Sequence, residues 1–281
     1  MKCMYLVLSV VLAIASMHAQ ARAGILDSAE TFAVLGGSTV TNTGSSVITG
    51  NVGVSNGSAV TGFPPGVVGG TTYLGDAVAH AAQIALTKAY DGLAAMPFTT
   101  NLTGQDLGGL TLTSGVYRFN SSAQLTGTLT LNAQGNNNAF WVFQIGSALT
   151  TASNSSVELS NLGSTRAKEI GVFWQVGSSA TLGTTTAFEG NILADQSITL
   201  NTGATILNGR ALAQNGAVTL DTNTVSIVCP NDGGPGDSGG LMYATNGTTV
   251  VPVPEPATLL LLASGLVGLF VFRNKAHFHR T

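Results

Sequence analysis

Between positions 181 and 222 the chain writes Thr-Leu-x-Thr three times: Thr181-Leu182-Gly183-Thr184, Thr199-Leu200-Asn201-Thr202 and Thr219-Leu220-Asp221-Thr222, spaced 18 and then 20 residues apart. Short β-prone runs, broken by Gly and Asn and recurring at such a period, are the mark of a solenoid. No single repeat can bury its own apolar face, so each coil is stable only when stacked on the next. The chain is therefore predicted to be mainly β, a β-helix whose stacked coils line up equivalent threonines.

The repeat extends beyond the threonine motif. Thr186-Ala187-Phe188-Glu189-Gly190-Asn191-Ile192-Leu193-Ala194 lies over residues 205–213 at an offset of nineteen, which sets Phe188 against Leu207. Phe143-Gln144-Ile145-Gly146-Ser147 and Trp174-Gln175-Val176-Gly177-Ser178 recur at an offset of thirty-one, one coil lengthened by a polar loop over 161–168. Within the coils apolar residues alternate with threonine. Leu110, Leu112, Leu129, Leu131, Val157, Leu159, Ile198, Leu200, Val218 and Leu220 should point inward, and Thr111, Thr128, Thr130, Thr199 and Thr219 outward. One stretch breaks the pattern: residues 72–96 are Ala-rich, end at Pro97 and read as one long helix packed alongside the coils. Its apolar side is predicted to hold Leu74, Ala77, Val78, Ala81, Ile84 and Ala85, and its polar stripe Asp76, His80, Gln83, Thr87 and Asp91.

The two ends of the 281 residues are not part of that domain. Residues 1–23 carry Lys2, an apolar run from Tyr5 to Ala15 and Ala21-Arg22-Ala23 before Gly24, the layout of a cleaved secretory signal. That run is too short for a permanent anchor, which needs about 20 apolar residues. At the other end Val253-Pro254-Glu255-Pro256 precedes an apolar segment over 257–272, then Arg273, Lys275 and Arg280. As a helix this segment reaches only about 24 Å, less than the ~30 Å hydrocarbon core, and suits a transient stop better than a lasting span. Domain boundaries follow: signal 1–23, β-helix domain 24–229, a Gly/Pro/Asp/Asn-rich flexible linker 230–251 and a sorting tail 252–281.

Charged residues make up 8% of the chain, with a net charge of −3, so no basic patch exists for nucleic acid and none is expected as partner. After the signal leaves with Cys3, Cys229 is alone; it either pairs with another molecule or closes the last coil as a small apolar residue. No dense His, Cys or carboxylate spacing announces a metal site or a cofactor.

The tripartite tail resembles the PEP-CTERM sorting signal of Gram-negative bacteria, which implies an exosortase-type enzyme as partner. It also implies export through a transient inner-membrane stage to the cell envelope or the exterior. The domain carries further blocks. Gly36-Gly37-Ser38-Thr39-Val40-Thr41-Asn42-Thr43-Gly44, Gly50-Asn51-Val52-Gly53-Val54-Ser55, Gly62-Phe63-Pro64-Pro65-Gly66, Leu110-Thr111-Leu112-Thr113-Ser114-Gly115-Val116-Tyr117 and the run 174–184 resemble the microbial ice-binding protein family. That resemblance covers residues 24–229. It implies a right-handed discontinuous β-helix of three faces, with N-terminal residues joining the C-terminal coils and one long helix alongside. It implies no catalysis and no cofactor, and ice or ordered water as partner, met by a flat face; the chain is expected to be a monomer. The stretch 42–62 is too short for the large cap some relatives carry.

Aligning the leucines places Thr151, Thr184, Thr202 and Thr222 in one column and Thr181, Thr199 and Thr219 in another. Three residues apart flips the side of a strand, so one column must sit at a corner. The family's Thr-Ala/Gly-x-Thr/Asn pattern adds Thr151 with Asn154 and Thr202 with Thr205. These nine residues are the candidate ice-binding surface. Outward threonines are also simply good strand formers, and Asp221 counts against a wholly uncharged face.

Two other readings compete. Gly236-Asp237-Ser238-Gly239-Gly240 looks like a serine-protease motif, but a triad needs a rigid site, whereas Ser238 falls in a Gly-rich stretch and His80 on a helix. A β-helix can also be an extracellular matrix or adhesion scaffold without ice affinity, with exopolysaccharide as partner. A flat, uncharged, Thr-rich face separates ice binding from a scaffold, whose face would be polar and irregular.

Overall fold

The computed structural model describes residues 24–163, 170–228 and 239–253. The signal segment, Cys229, Ser238, most of the polar loop and the tail beyond Val253 lie outside the described residues. Each full coil has three sides. The coil that starts at Ala180 runs along Ala180–Leu182, turns a corner, continues through Ala187–Ala194 and bends within that strand at Gly190 onto the third side. The next coil repeats this with Ile198–Leu200 and Thr205–Ala213. Gly190 has φ 94° and packs so closely that a Cβ there would lie 2.6 Å from Val172. Only glycine meets both demands.

All pairings between coils are parallel. Stacking the coils therefore makes three faces. The helix face runs in the order 100–101, 115–119, 140–145, 171–176, 191–194, 210–213, 32–36, 51–54 and 72–74. Coils are thus not stacked in chain order. The chain begins mid-stack, Val34 beside Ala211, builds outward to Leu74, then crosses to the far end at Thr100 and coils back to meet its own start. The crossing is made by helix α1 (Ala77–Ala94). At ~1.5 Å per residue α1 is roughly 27 Å long, five to six of the roughly eight strand spacings to be crossed, with residues 95–99 making up the remainder, so the helix must lie along one face.

The interior is filled by the alternating apolar residues foreseen: Leu129, Leu131, Val157, Ile198, Leu200, Val218 and Leu220 are buried, with Leu110, Leu112 and Leu159 packed against them. Aromatic rings stack from coil to coil, Phe143 on Trp174 at 3.9 Å between centroids and Trp174 against Phe188 at 4.8 Å. The offset of thirty-one is structural, since Phe143 pairs with Trp174 and Gln144 with Gln175. The offset of nineteen holds only on the helix face, where Asn191 pairs with Arg210. On the preceding side it is eighteen, so Phe188 lies beside Ile206 and Leu207 beside Glu189. The later coil carries one more residue at its bend, absorbed at Asn208 with φ 52°.

Helix α1 is shorter than the composition suggested. Thr72–Leu74 is a strand, Gly75 takes a positive φ, and Asp76 caps α1 by accepting from the amides of Val78 and Ala79 at 3.0 and 2.9 Å. The buried stripe is Ala79, Ala82, Ala85, Leu86, Ala89 and Leu93. The predicted apolar side was misplaced: Leu74, Val78 and Ile84 are about half exposed, whereas Gln83 is buried and its amide donates to the Ala213 carbonyl at 3.0 Å. Alanine face-to-sheet contact decides the orientation, because small side chains let the helix sit down on Phe32, Leu35, Val142, Phe173, Leu193 and Leu212.

The span read as a flexible linker contains a hairpin. Leu241–Tyr243 and Val250–Pro252 pair antiparallel, Leu241 and Val250 are buried against α1 and the helix face, and Met242 is buried as well. Tyr243 donates to the Ile25 carbonyl at 3.1 Å, and the Lys88 ammonium lies 4.0 Å from its ring centre. Burial, with smaller contributions from Asp27 and Asp91, pushes the Tyr243 hydroxyl up to about 12 from its usual 10.0. A folded-state value above the unfolded one stabilises below pH 10 and loses that contribution as pH rises toward 12. Stability measured by denaturant melts should therefore fall across this alkaline window, and the Tyr243→Phe variant should show a shallower fall.

Candidate functional site

α1 covers one face, leaving two. The first is a seven-stranded sheet in the order 123–125, 149–151, 180–182, 198–200, 218–221, 39–43 and 59–61. Its register places Gln124, Thr150, Thr181, Thr199, Thr219, Thr41 and Thr61 side by side. From Gln124 to Thr41 the residues before and after each rung are buried, among them Ile198 and Leu200 around Thr199, and Val60 before Thr61 packs on the core. Every rung is therefore held outward by the strand's period of two. The rungs are half-buried or exposed, and the Thr41 and Thr219 hydroxyls lie 3.5 Å apart. At ~4.8 Å per strand the ladder is roughly 29 Å long. The neighbouring outward column, Ser122, Ala148, Ser179, Ser197, Ala217, Thr39 and Ala59, is small and uncharged.

A second set of hydroxyls edges this face at the corner. Corner amides donate coil to coil, Asn154 to the Thr184 carbonyl, Thr185 to Thr202, Gly203 to Asp221 and Thr222 to Thr43. Ser153, Thr184, Thr202, Asp221 and Thr43 are thereby equivalent, as are Asn154, Thr185, Gly203, Thr222 and Gly44, which all have φ between 53° and 76°. For a β-branched residue that conformation costs about 1–2 kcal/mol. At Thr185 the hydroxyl donates to Asn154 Oδ1 at 2.6 Å, and at Thr222 to Asp221 Oδ1 at 3.1 Å, bonds that tie the corner together.

The nine candidates thus separate. Thr181, Thr199 and Thr219 are central rungs, and Thr184 and Thr202 share the corner column. Thr222 does not join them. The corner from Val218 to Thr224 is one residue shorter than that from Ile198 to Thr205, so Asp221 takes the equivalent place and accepts from the Thr202 hydroxyl. Asn154 sits beside the column in the left-handed position, and Thr205 lies around the corner on the third face, half-buried. Thr151 is inside the coil, 3% exposed, with its hydroxyl on Thr186 Oγ1 and on the Gly183 amide, both at 2.8 Å. Leu149 faces inward, so Thr150 faces out and Thr151 must face in.

Thr150, Thr41, Thr61 and Gln124 were not foreseen as rungs. Parity with Leu149 would have found Thr150. Thr41 and Thr61 join only because the N-terminal coils stack on the last one, across a separation of 178 residues between Thr41 and Thr219. The third face is different in kind: its outward positions include Thr128, Ser156, Ala187, Thr205, Thr224, Val47 and Val67, with Glu158 and Glu189 beside them. It mixes hydroxyl, carboxylate and exposed apolar groups without a repeat. His80 is exposed on α1, and among the described residues no three His, Cys, Asp or Glu side chains are grouped to hold a metal ion.

Comparison with known proteins places this architecture. Residues 34–226 match the Ice-binding-like family, and residues 252–275 match the PEP-CTERM protein-sorting motif. The chain is 52% identical over 276 residues to an ice-binding protein of Nostoc sp. (strain HG1), covering 96% of each. It is 36% identical over 214 residues to an ice-binding protein of Flavobacterium frigoris (strain PS1), covering 71% of this chain and 74% of that one. Among solved structures, an ice-binding protein from an Antarctic biological consortium superimposes with a TM-score of 0.67 at 44% identity, covering 74% of this chain and 93% of that one. With the match running through nearly the whole β-helix, the chain belongs to the ice-binding-like family.

Proposed function

We propose that this protein adsorbs to ice through the seven-rung face centred on Thr199 and limits ice growth or recrystallisation. The observation that carries the reading is the ladder itself: six threonines and Gln124 in one column, on a face free of the helix whose carboxylates stand at its margins, Asp106 beyond Gln124 and Asp221 at the corner. Backbone hydrogen bonds fix the rung spacing near 4.8 Å. A water at ~2.8 Å from two such hydroxyls bridges them with an O···O···O angle of about 118°, close to the tetrahedral angle of ice. The threonine methyls narrow the positions such waters can take. A layer held this way joins the lattice of a growing crystal.

The corner hydroxyls of Thr184 and Thr202 extend the layer sideways, with Asn154 beside them, while Asp221 and Thr222 close its edge. Thr205 supports the neighbouring face and Thr151 supports the coil from within. No catalytic step and no cofactor belong to this reading. The sorting motif, Val253 with Pro254, Glu255 and Pro256, is read as the substrate of an exosortase-type enzyme during export to the envelope.

Slow freezing of the purified chain onto a cold surface tests the reading. Enrichment in the ice fraction is expected, and Thr130→Tyr on the third face should leave it unchanged. Exclusion of the folded chain from ice would overturn the proposal.

A further inference from the structure

The seat of the C-terminal hairpin, which carries Val253 and the start of the sorting motif, bears on how the chain meets ice. The base of the C-terminal hairpin is hydrogen-bonded to one edge of the β-helix: the Gly239 amide donates to the Ile170 carbonyl at 2.9 Å, and the Val253 amide to the Gly240 carbonyl at 2.9 Å. Gly240 packs against Ala139 and Phe140, where an added Cβ would lie 3.0 Å from each. Ala139 and Ile170 are the residues that lead into Phe140–Ile145 and Gly171–Val176, at the edge where the third face turns into the helix face. In a three-sided coil that edge is the one opposite the ladder face.

The hairpin is seated firmly. Leu241, Met242 and Val250 are buried, and Tyr243 reaches the Ile25 carbonyl. Gly92 of α1 lets Val250 close on the helix, since a Cβ there would lie 2.6 Å from a Val250 methyl. The sorting motif begins at residue 252, inside the second strand of the hairpin, so no free linker separates the seat from the tail.

We propose that the hairpin is a mount. It makes the tail leave from the edge opposite the ladder, so that a chain attached at the envelope by its C-terminal tail presents the ladder away from the cell and joins the cell itself to ice. The orientation rests on the described geometry; the joining to ice rests on the function proposed above.

The test uses the full chain on intact cells of a Gram-negative host with an exosortase-type system, each variant in a Cys229→Ser background. Thr199→Cys reports the ladder and Leu162→Cys reports the exit edge, where Leu162 is 38% exposed. With a bulky membrane-impermeant maleimide, Thr199→Cys should label on cells as fast as after detergent release, whereas Leu162→Cys should label several-fold more slowly on cells than after release. Gly92→Leu, which forces Val250 off the helix, should abolish that asymmetry while the released protein still enriches in ice. Equal slowing at both positions, slowing at the ladder instead, or recovery of the whole chain in the medium would overturn the mount. In parallel, cells carrying the wild type should adhere to ice. If released chain enriches in ice and the cells do not adhere, the mount fails. If labelling is asymmetric but released chain is excluded from ice, the mount stands and the ice reading falls.

Discussion

Thr199→Tyr is expected to remove most of the ice affinity while leaving the fold intact. Thr199 is a central rung, paired with Thr181 on one side and Thr219 on the other. A tyrosine ring there stands proud of its immediate neighbours, Thr181, Thr219, Ser179, Ser197 and Ala217, all of them smaller. Adsorption to a crystal is a many-point contact between two rigid bodies, so one protrusion separates the neighbouring rungs from the ice as well. Loss of several contacts that act only together should weaken adsorption by at least about tenfold, some 1.4 kcal/mol. The melting temperature should barely move, because tyrosine is a good strand former and the position faces solvent. Ice partitioning and recrystallisation assays on the folded variant read this directly. Retained affinity would move the binding surface to the third face. Smaller changes apportion the mechanism, since Thr199→Val keeps a methyl and Thr199→Ser keeps the hydroxyl; comparable partial losses are expected if both groups shape the water layer.

Much of this surface was legible before any coordinates. The Thr-Leu-x-Thr spacing identified coils, and alternation assigned Thr199 and Thr219 to the outside because each is flanked by apolar residues that have to be buried. The same rule, applied one coil earlier, assigns Thr150 and not Thr151. Alignment on leucine alone hid this, since Thr151 occupies an inward position that elsewhere holds Leu182 or Leu200 and is tolerated there because Thr186 and the Gly183 amide satisfy its hydroxyl. Counting residues also misplaced Thr222, because a corner one residue shorter brings Asp221 into the column. The helix failed for a different reason. Val78 and Ile84 are more apolar than Ala82 and Ala89, yet the alanines are buried, because close approach to a flat sheet selects size over hydropathy. The hairpin beyond residue 239 resembles a linker in composition, and only its packing against α1 gives it structure.

Least visible in the sequence is what joins the first-formed coils to the last, and the largest expected loss of stability follows from it. Arg210 is completely buried on the helix face. Its Nη1 donates to Asn191 Oδ1 at 2.7 Å, and its Nε and Nη2 donate to the Glu30 carbonyl at 3.0 and 2.7 Å. One guanidinium thus fastens the N-terminal segment to the coils formed last, across 180 residues of sequence. Arg210→Met keeps much of the side-chain length but deprives the buried Asn191 Oδ1 and the part-buried Glu30 carbonyl of their charged donor. The expected cost is about 3–5 kcal/mol. For a domain of this size that lowers the melting temperature by roughly 6–20 °C. Loss should be uneven, because Val34 and Leu35 pair with Ala211 and Leu212 next to the clamp, and the coils carrying Thr41 and Thr61 depend on that pairing. Amide hydrogen exchange should therefore quicken across residues 32–74 while the coils of 115–226 stay protected, and the ladder should shorten from its N-terminal end with ice affinity falling in step. Uniform exchange along the stack would mean that Arg210 stabilises the whole β-helix and not the mid-stack junction between its N-terminal and C-terminal coils.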